Sequence, residues 1–273
     1  LLKHAESVTG CALAIEEVFK EAGFPDDLFR TLLIDRHKVK SIIESPSVQA
    51  VTLTGGTAAG RAVAAQAGAA LKPSVLELGG SDPYLILADA DIQEAAQKCT
   101  ASRMLNGGQS CIGAKRFIVV ESVYDAFVDA FKQEMATKTM GDPTDDTTDF
   151  GPQASESLRD ELHQQVQDSI TKGAKCLLGG EIPSQQGAWY PATLLTDVRE
   201  GMPAYHEEMF GPVASVIKVK DTAEAIKVAN DSVYGLGGGV FTQNIAEGER
   251  IAKEEMTTGS VYVNGFVRSN PHL

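Results

Sequence analysis

Apolar residues recur at helical spacing over 9–22 (TGCALAIEEVFKEA), and the pattern stops at Gly23-Phe24-Pro25, a glycine and proline helix stop. TLLI at 31–34 then predicts a buried strand, KVKSIIES at 38–45 a helix, and AVTLT at 50–54 a β-rich run. GGTAAG at 55–60 turns the chain into an alanine-rich helix over 61–71, and SVLEL at 74–78 is the next strand. Strands and helices alternate, an order that implies a parallel sheet with helices on its faces.

After Gly79-Gly80 the alternation resumes on a larger scale. PYLIL (83–87), a helix over 92–105, RFIVVE (116–121) and a long helix over 123–138 lead to a polar loop at 141–152, whose Asp, Thr, Gly and Pro content predicts exposure. An amphipathic helix at 154–172, a strand in AKCLLGG (174–180) and a Gly-, Pro- and Gln-rich excursion through Trp189 follow. Helix 222–231, YGLGGGVFT (234–242), helix 244–257 and GSVYVNG (259–265) complete the pattern, without an internal repeat of fixed period. The change of character at Gly79-Gly80 marks a domain boundary. The chain starts on what reads as a strand end, Leu1-Leu2-Lys3, and stops in mid-loop at Asn270-Pro271-His272-Leu273, as a segment of a longer protein would.

Composition narrows the class. The 273 residues are 43% hydrophobic and 22% charged, enough for a large core or two domains of a soluble protein. No run of about 18 apolar residues is present, and residues 1–10 lack the pattern of a secretory signal, so a cytoplasmic protein is expected, with no membrane partner. With 37 acidic and 24 scattered basic residues the net charge is −13, which repels a phosphate backbone and argues against nucleic acid as a partner. Cys11, Cys99, Cys111 and Cys176 are far apart, with neither a C-x-x-C pair nor histidines at metal-ligand spacing, so reduced thiols and no metal are expected.

Four stretches offer chemistry. GGTAAG follows a strand and opens a helix, where free backbone N–H groups and the helix dipole favour an anion such as a pyrophosphate. It is neither a Walker A loop, since Arg61-Ala62 replaces Lys-Ser/Thr, nor G-x-G-x-x-G, and a tight turn needing glycine explains it as well. Cys111, in NGGQSCIGAKR, lies among small residues before the basic pair Lys115-Arg116, and positive charge favours the nucleophilic thiolate. For a cysteine taken alone, packing as a small hydrophobe is the better explanation, and it suits Cys11, Cys99 and Cys176, each inside a helical or strand pattern. Glu77, in SVLELGG, is an acid inside an apolar strand. Burial would raise such a carboxyl toward a usable general base, whereas a surface-facing glutamate would be unremarkable. HEEMFGPVAS at 206–215 reads either as a solvated acidic loop or as a carboxylate for ribose hydroxyls beside a ring that packs on a cofactor.

Taken together and in order, these motifs resemble the aldehyde dehydrogenase superfamily. Glu77 in LELGG precedes Cys111 in GQSC by 34 residues, the family's separation of base and nucleophile. TGGTAAG is similar to its F-T-G-S-x-x-x-G turn and EEMFGPV to its E-E-x-F-G-P-V segment; YGLGGGVFT, GSVYVNG and LLKHAE match further signatures, so the resemblance covers essentially the whole chain. It implies an α/β fold in which 1–78 is the C-terminal part of an NAD(P)-binding Rossmann-like domain, 79–265 an α/β catalytic (thiol) domain, and 266–273 the start of a C-terminal segment. Family members are longer, with a catalytic asparagine in an N-terminal part and P-F-G-G beginning a C-terminal part; they are homodimers or homotetramers.

The resemblance further implies that Cys111 attacks a small aldehyde to give a thiohemiacetal and then a thioester, with Glu77 activating the hydrolytic water. It places Lys3 and Glu6 at the adenosine ribose, and Thr54, Gly55, Gly56, Gly60 and Leu78 around the pyrophosphate and cofactor. Glu208 and Phe210 would meet the nicotinamide ribose and ring. Gly56 departs from the family's usual serine, which removes one hydroxyl contact to phosphate. Glu6 implies NAD in preference to NADP, because a carboxylate accepts from the ribose 2′-hydroxyl and repels a 2′-phosphate. GQSCIGAKRF and VNGFVRSNPHL are most similar to the bacterial branch that oxidises succinate semialdehyde, which makes Ser269 and Gln109 candidate substrate contacts and Arg268 a weaker one. A thiol hydrolase would need a Cys-His signature that the five histidines do not show. The same motifs are also compatible with a nucleotide-binding or assembly segment without catalysis, and with acyl transfer to coenzyme A in place of water.

Overall fold

The computed structural model describes residues 1–269, so Asn270 to Leu273 of the 266–273 segment lie outside the described residues. The chain divides into two compact units, Leu1–Leu78 and Gly79–Leu273.

In the first unit, α1 (Thr9–Glu21) and α2 (Val39–Glu44) precede β1 (Val51–Thr54), α3 (Thr57–Ala69) and β2 (Ser74–Glu77). β1 and β2 pair in parallel, with Val51 opposite Ser74 and Thr54 opposite Glu77. A parallel pair needs a crossover of about a dozen residues or more, and α3 supplies it. α3 begins at Thr57, four residues ahead of the alanine-rich run, because the extended Gly56 already serves as its N-cap. Gly60 lets the helix approach Leu78 closely: a Cβ there would come within 2.6 Å of a leucine methyl.

The buried strand expected at 31–34 is not formed. Thr31 makes a single parallel bridge to Leu2, and Leu33 is 63% exposed. Thr31 is instead tied to α1: its N–H donates to the buried Glu16 carboxylate at 2.8 Å and its hydroxyl to the Ala12 carbonyl at 3.0 Å. A backbone N–H bound by a side chain cannot extend a ladder.

The second unit contains β3 (Asp82–Ile86), α4 (Ile92–Met104), β4 (Ala114–Val120), α5 (Tyr124–Ala136), α6 (Glu156–Thr171), β5 (Lys175–Leu178), β6 (Thr193–Thr196), the one-turn α7 (Pro203–His206), β7 (Val213–Val219), α8 (Thr222–Asn230), β8 (Gly237–Phe241), α9 (Ile245–Arg250) and β9 (Ser260–Val263). Seven strands form one sheet in the order β5-β6-β7-β4-β3-β8-β9. Every pairing is parallel except that of β5, which runs antiparallel at the edge. The hydrophobic pattern does not mark β6 or β7 as strands. The expected helix at 244–257 is shorter, with the chain passing from α9 into a π turn, Ile251–Glu255.

β3 and β4 are buried along their whole length, and successive side chains enter two different cores. Tyr84, Ile86, Phe117 and Val119 pack with Cys99 of α4 and Phe127 and Phe131 of α5, while Leu85, Ile118 and Val120 pack with Leu195 and Ile217 on the other face. The Phe117 and Phe131 ring centroids are 4.6 Å apart, and burying each ring contributes roughly 2 kcal/mol. This two-sided core holds β3, β4, β7 and β8 in place, and the loops that enter their amino ends carry the candidate chemistry.

Candidate thiol site

After α4 the chain turns through Asn106, Gly107 and Gly108, all with left-handed φ of 53°, 60° and 76°. The reversal delivers Gln109 to Gly113 to the amino end of β4. Gly108 is constrained a second time, because a Cβ there would lie 2.0 Å from the Gly211 carbonyl oxygen in the Phe210-Gly211-Pro212 turn. The GQSC and EEMFGPV stretches, far apart in sequence, are thus packed together. Replacing Gly108 by Ala is expected to cost at least ~2 kcal/mol, through left-handed strain and a backbone clash; urea unfolding would show a lower midpoint, and an unchanged midpoint would contradict the packing.

Cys111 is half-buried. Three carbonyls of its loop converge on Lys115, whose Nζ donates to Ser110 at 2.9 Å, Cys111 at 3.0 Å and Gly113 at 3.1 Å; the side chain is 1% exposed. Arg116 points elsewhere. Its Nε donates to the Ser81 carbonyl, and its Nη1 and Nη2 each donate at 2.9 Å to the carbonyls of Val228 and Ala229, at the C-terminal end of α8. The basic pair therefore serves backbone carbonyls, and the expectation that both cations assist the thiol is corrected for Arg116.

Glu208 reaches the same loop system. Its Oε1 accepts from the Gly80 N–H at 3.0 Å and lies 3.5 Å from Lys115 Nζ. Gly79 and Gly80 make room for this: a Cβ on Gly79 would fall 2.0 Å from Glu208 Oε2, and one on Gly80 would fall 2.7 Å from the Cys111 carbonyl oxygen. The two glycines of LELGG thus belong to the Glu208 and Cys111 loops.

Beneath the loop lie charges that the sequence pattern does not single out. Asp82 accepts from the Gly237 N–H at 3.0 Å, and burial pushes its carboxyl up to about 6 against the pull of Lys115 and Arg103. Burial lowers Lys115 to about 8 and Arg103 to about 10. Arg103 donates to the Gly108 carbonyl at 2.5 Å, bracing the turn from below. The available signal was Arg103 on the face of α4 shared by Ala95, Ala96 and Cys99, a cation where an apolar residue is expected.

A cavity of about 420 Å³ in this unit is lined by Gln109, Gln165, Glu207, Glu208 and Phe210, among others. Phe210 is 41% exposed, leaving its ring free to pack on a planar ligand, and Gln165 donates to Glu207 at 2.8 Å. Gln109 is committed to backbone groups: Oε1 accepts from the Ala154 N–H at 2.8 Å and Nε2 donates to the Asn106 carbonyl of its own loop at 3.2 Å.

In the first unit the candidate residues gather at the carboxyl ends of β1 and β2. Thr54, Gly55 and Gly56 are exposed, Gly60 is buried and Leu78 half-buried. The Gly55 N–H donates to the Glu77 carbonyl at 3.0 Å, so it is engaged, but Gly56 gives α3 no side-chain cap and has open space around it. The first N–H groups of a 13-residue helix have no intrahelical partner; this donor set fits a pyrophosphate. Lys3 donates to the His4 carbonyl at 2.6 Å and Glu6 is exposed. Glu77 is exposed rather than buried, so the desolvation expected for it is not found. β2 is only four residues long and pairs with β1 alone among the described residues, which leaves its end open.

Ser269 is exposed, and Arg268, also exposed, lies over the Phe266 ring at 4.2 Å. Among the described residues, no group of three or more His, Cys, Asp or Glu is arranged to hold a metal, and no helix is long and apolar enough to cross a membrane.

A parallel-sheet unit carrying a thiol loop, with a second unit that offers an open helix N-terminus after a strand, defines a class that comparison with known proteins makes explicit. The model of the aldehyde dehydrogenase family matches residues 1–273, and the chain belongs to this family. It is 46% identical over all 273 residues to a succinate-semialdehyde dehydrogenase [NADP(+)] 1 of Mycobacterium ulcerans (strain Agy99), and spans 59% of that relative. Its structure is similar to succinic semialdehyde dehydrogenase from Streptococcus pyogenes in complex with NADP+, with a TM-score of 0.96 at 36% identity, covering 100% of this chain and 60% of that one. A Mycobacterium tuberculosis aldehyde dehydrogenase complexed with NAD+ matches with a TM-score of 0.93 at 33% identity, over 98% and 56% of the two chains.

Proposed function

We propose that the whole protein oxidises a small aldehyde, succinate semialdehyde foremost, to its carboxylate with NAD(P)+. The observation that carries this reading is the packing of the Cys111 loop against the Glu208 segment, where Gly80, Lys115 and Gly108 each touch both stretches or their glycine turns. A thiol with no diol-binding carboxylate packed against its loop would support only general cysteine chemistry; the cavity is lined by Glu208 and Phe210 and not by Cys111 itself.

In this proposal Cys111 as thiolate adds to the aldehyde carbon, and the oxygen that becomes anionic is met by the Cys111 backbone N–H. A bound nicotinamide supplies the hydride acceptor that turns the resulting thiohemiacetal into a thioester. Glu77 takes a proton from the water that cleaves the thioester, and its exposure gives water direct access. Glu208 would accept from ribose hydroxyls and Phe210 pack beside the ring, both at the cavity, while the open N-terminus of α3 after Gly56 would hold the pyrophosphate. Ser269 and Arg268 are candidates for the distal carboxylate of the substrate. Gln109, whose amide joins the Asn106 carbonyl of its own loop to the Ala154 N–H, acts as a brace.

Two of the named relatives are described with NADP+ and one with NAD+, and Glu6 favours a free 2′-hydroxyl. We assign NAD+ as the preferred acceptor and NADP+ as the second. Steady-state kinetics with an aldehyde panel and both cofactors test the proposal: kcat/KM is expected to be highest for succinate semialdehyde with NAD+, and Glu6→Ser to move the cofactor ratio about tenfold toward NADP+, the equivalent of about 1.4 kcal/mol. Higher kcat/KM with NADP+ in the unaltered protein would reverse the cofactor assignment, and no aldehyde-dependent reduction of either cofactor would remove the activity.

A further inference from the structure

Lys115 is nearly inaccessible, yet all its donors are used within one loop, on the carbonyls of Ser110, Cys111 and Gly113. A buried ammonium costs several kcal/mol and persists only where such partners offset its desolvation. The most informative of the three is Ser110, because its carbonyl belongs to the same peptide unit as the Cys111 N–H. In a planar trans peptide the C=O and N–H point in opposite directions. The Ser110 carbonyl accepts from Lys115 Nζ at 2.9 Å and from the Gly113 N–H at 3.2 Å, so the two donors together set the direction of the Cys111 N–H, and Lys115, the charged one, polarises the amide so that its N–H donates more strongly.

We propose that Lys115 is a positioning residue for this reaction: through the Ser110 carbonyl it aims and polarises the Cys111 N–H toward the oxygen that becomes anionic, and through Glu208 it ties that peptide to the cofactor-side loop. The inference rests on the reading of Cys111 as the nucleophile. Lys115 touches no reacting atom. The charged groups that face it are Arg103 of α4, Asp82 of β3 and Glu208 ahead of β7.

The sign of the pH effect follows from burial and Arg103, which lower Lys115 from 10.5 to about 8 in the folded chain. Between those values the folded state binds fewer protons than the unfolded one, so this group favours folding more as pH rises. Loss of loop control above about pH 8 would therefore not come from unfolding by this group. Neutral Lys115 has one donor fewer and no charge for the three carbonyls.

Two measurements test the proposal. Lys115→Met keeps length and removes donors; a fall in kcat of about tenfold is expected, with KM for aldehyde and cofactor within about threefold, as for an interaction felt mainly in the transition state. A folded Lys115→Met protein with kcat within about threefold of the unaltered one overturns the proposal. The second measurement does not depend on that variant folding. In Cys111→Ala, which removes the neighbouring thiol, the backbone amide at position 111 is followed by NMR without aldehyde or cofactor. Its signal is expected to shift with a midpoint near pH 8, between the titrations of Asp82 and Arg103. An amide that does not move anywhere between about pH 7 and 10.5, the ordinary lysine value, overturns the proposal, and neither outcome depends on whether the protein oxidises aldehydes, which Cys111→Ala tests separately by activity.

Discussion

Cys111→Ala is expected to lower aldehyde oxidation by roughly 10⁴-fold or more, the scale seen when a covalent nucleophile is removed. Cofactor affinity should stay within about twofold, because the backbone contacts of residue 111 to Lys115 and its packing against Gly80 involve the carbonyl and not the thiol. Folding should be preserved as well, since a half-buried sulfur leaves little cavity behind. The remaining cysteines cannot take over. Cys99 is fully enclosed in the core, where burial pushes its thiol up, and Cys176 is likewise raised by burial and donates to the Leu178 carbonyl at 3.2 Å. Cys11 is exposed on α1 in the other unit. Activity in the variant within about tenfold of the unaltered protein would mean that the chemistry runs through another group, and the assignment of the thiol would fall.

The local grammar of the chain carries much of this. β1, α3 and β2 follow from AVTLT, the glycine turn and SVLEL, and the boundary between α5 and the polar loop follows from the turn residues at 141–152. What local pattern cannot carry is pairing. β7 lies between β6 and β4, and β3 between β4 and β8, so the centre of the sheet joins strands with long insertions between them. TLLT at β6 is a short, fully buried stretch with two leucines between threonines, and VASVIKV at β7 is buried on both faces, so neither shows the period-2 signal that marks a half-exposed strand. The opposite error at 31–34 has the same root: a threonine followed by three apolar residues suggests a strand, but Glu16, fifteen residues away, claims the N–H of Thr31.

The site divides in the same way. Cys111, Glu77, Glu208 and the glycine turn each have an ordinary explanation alone and stand out only through the order and spacing that resemble the family's motifs. Lys115 is visible as a cation beside a cysteine, but only the structure shows that its hydrogen bonds go to the carbonyls of the loop. Asp82 and Arg103 are hidden inside otherwise ordinary strand and helix patterns, and their importance appears only when β3, α4 and β4 are brought under one loop. Gly79 and Gly80 show the reverse case, visible as a pair but explained only by the carboxylate of Glu208, more than a hundred residues away.

Glu77→Gln is expected to slow steady-state turnover by roughly 10²- to 10³-fold while leaving a rapid first turnover, because the base is needed only for water to cleave the thioester. The substitution is nearly isosteric and the side chain is exposed, so β2 should keep its pairing with Thr54 and its carbonyl should still accept from Gly55. A loss of rate would then be chemical rather than structural. Two observations make the distinction sharp. Rapid mixing should show a burst close to one equivalent of reduced cofactor per site, followed by a slow phase, since acyl-enzyme accumulates when its breakdown is impaired. Adding hydroxylamine, a nucleophile that attacks a thioester without the help of a base, should restore turnover in the variant far more than in the unaltered protein. An unchanged steady-state rate would remove Glu77 from the mechanism. A slow rate with no burst would place its role before the thioester, in activating Cys111, and the exposed position of Glu77 at the end of β2 would then have to serve the thiol instead of the water.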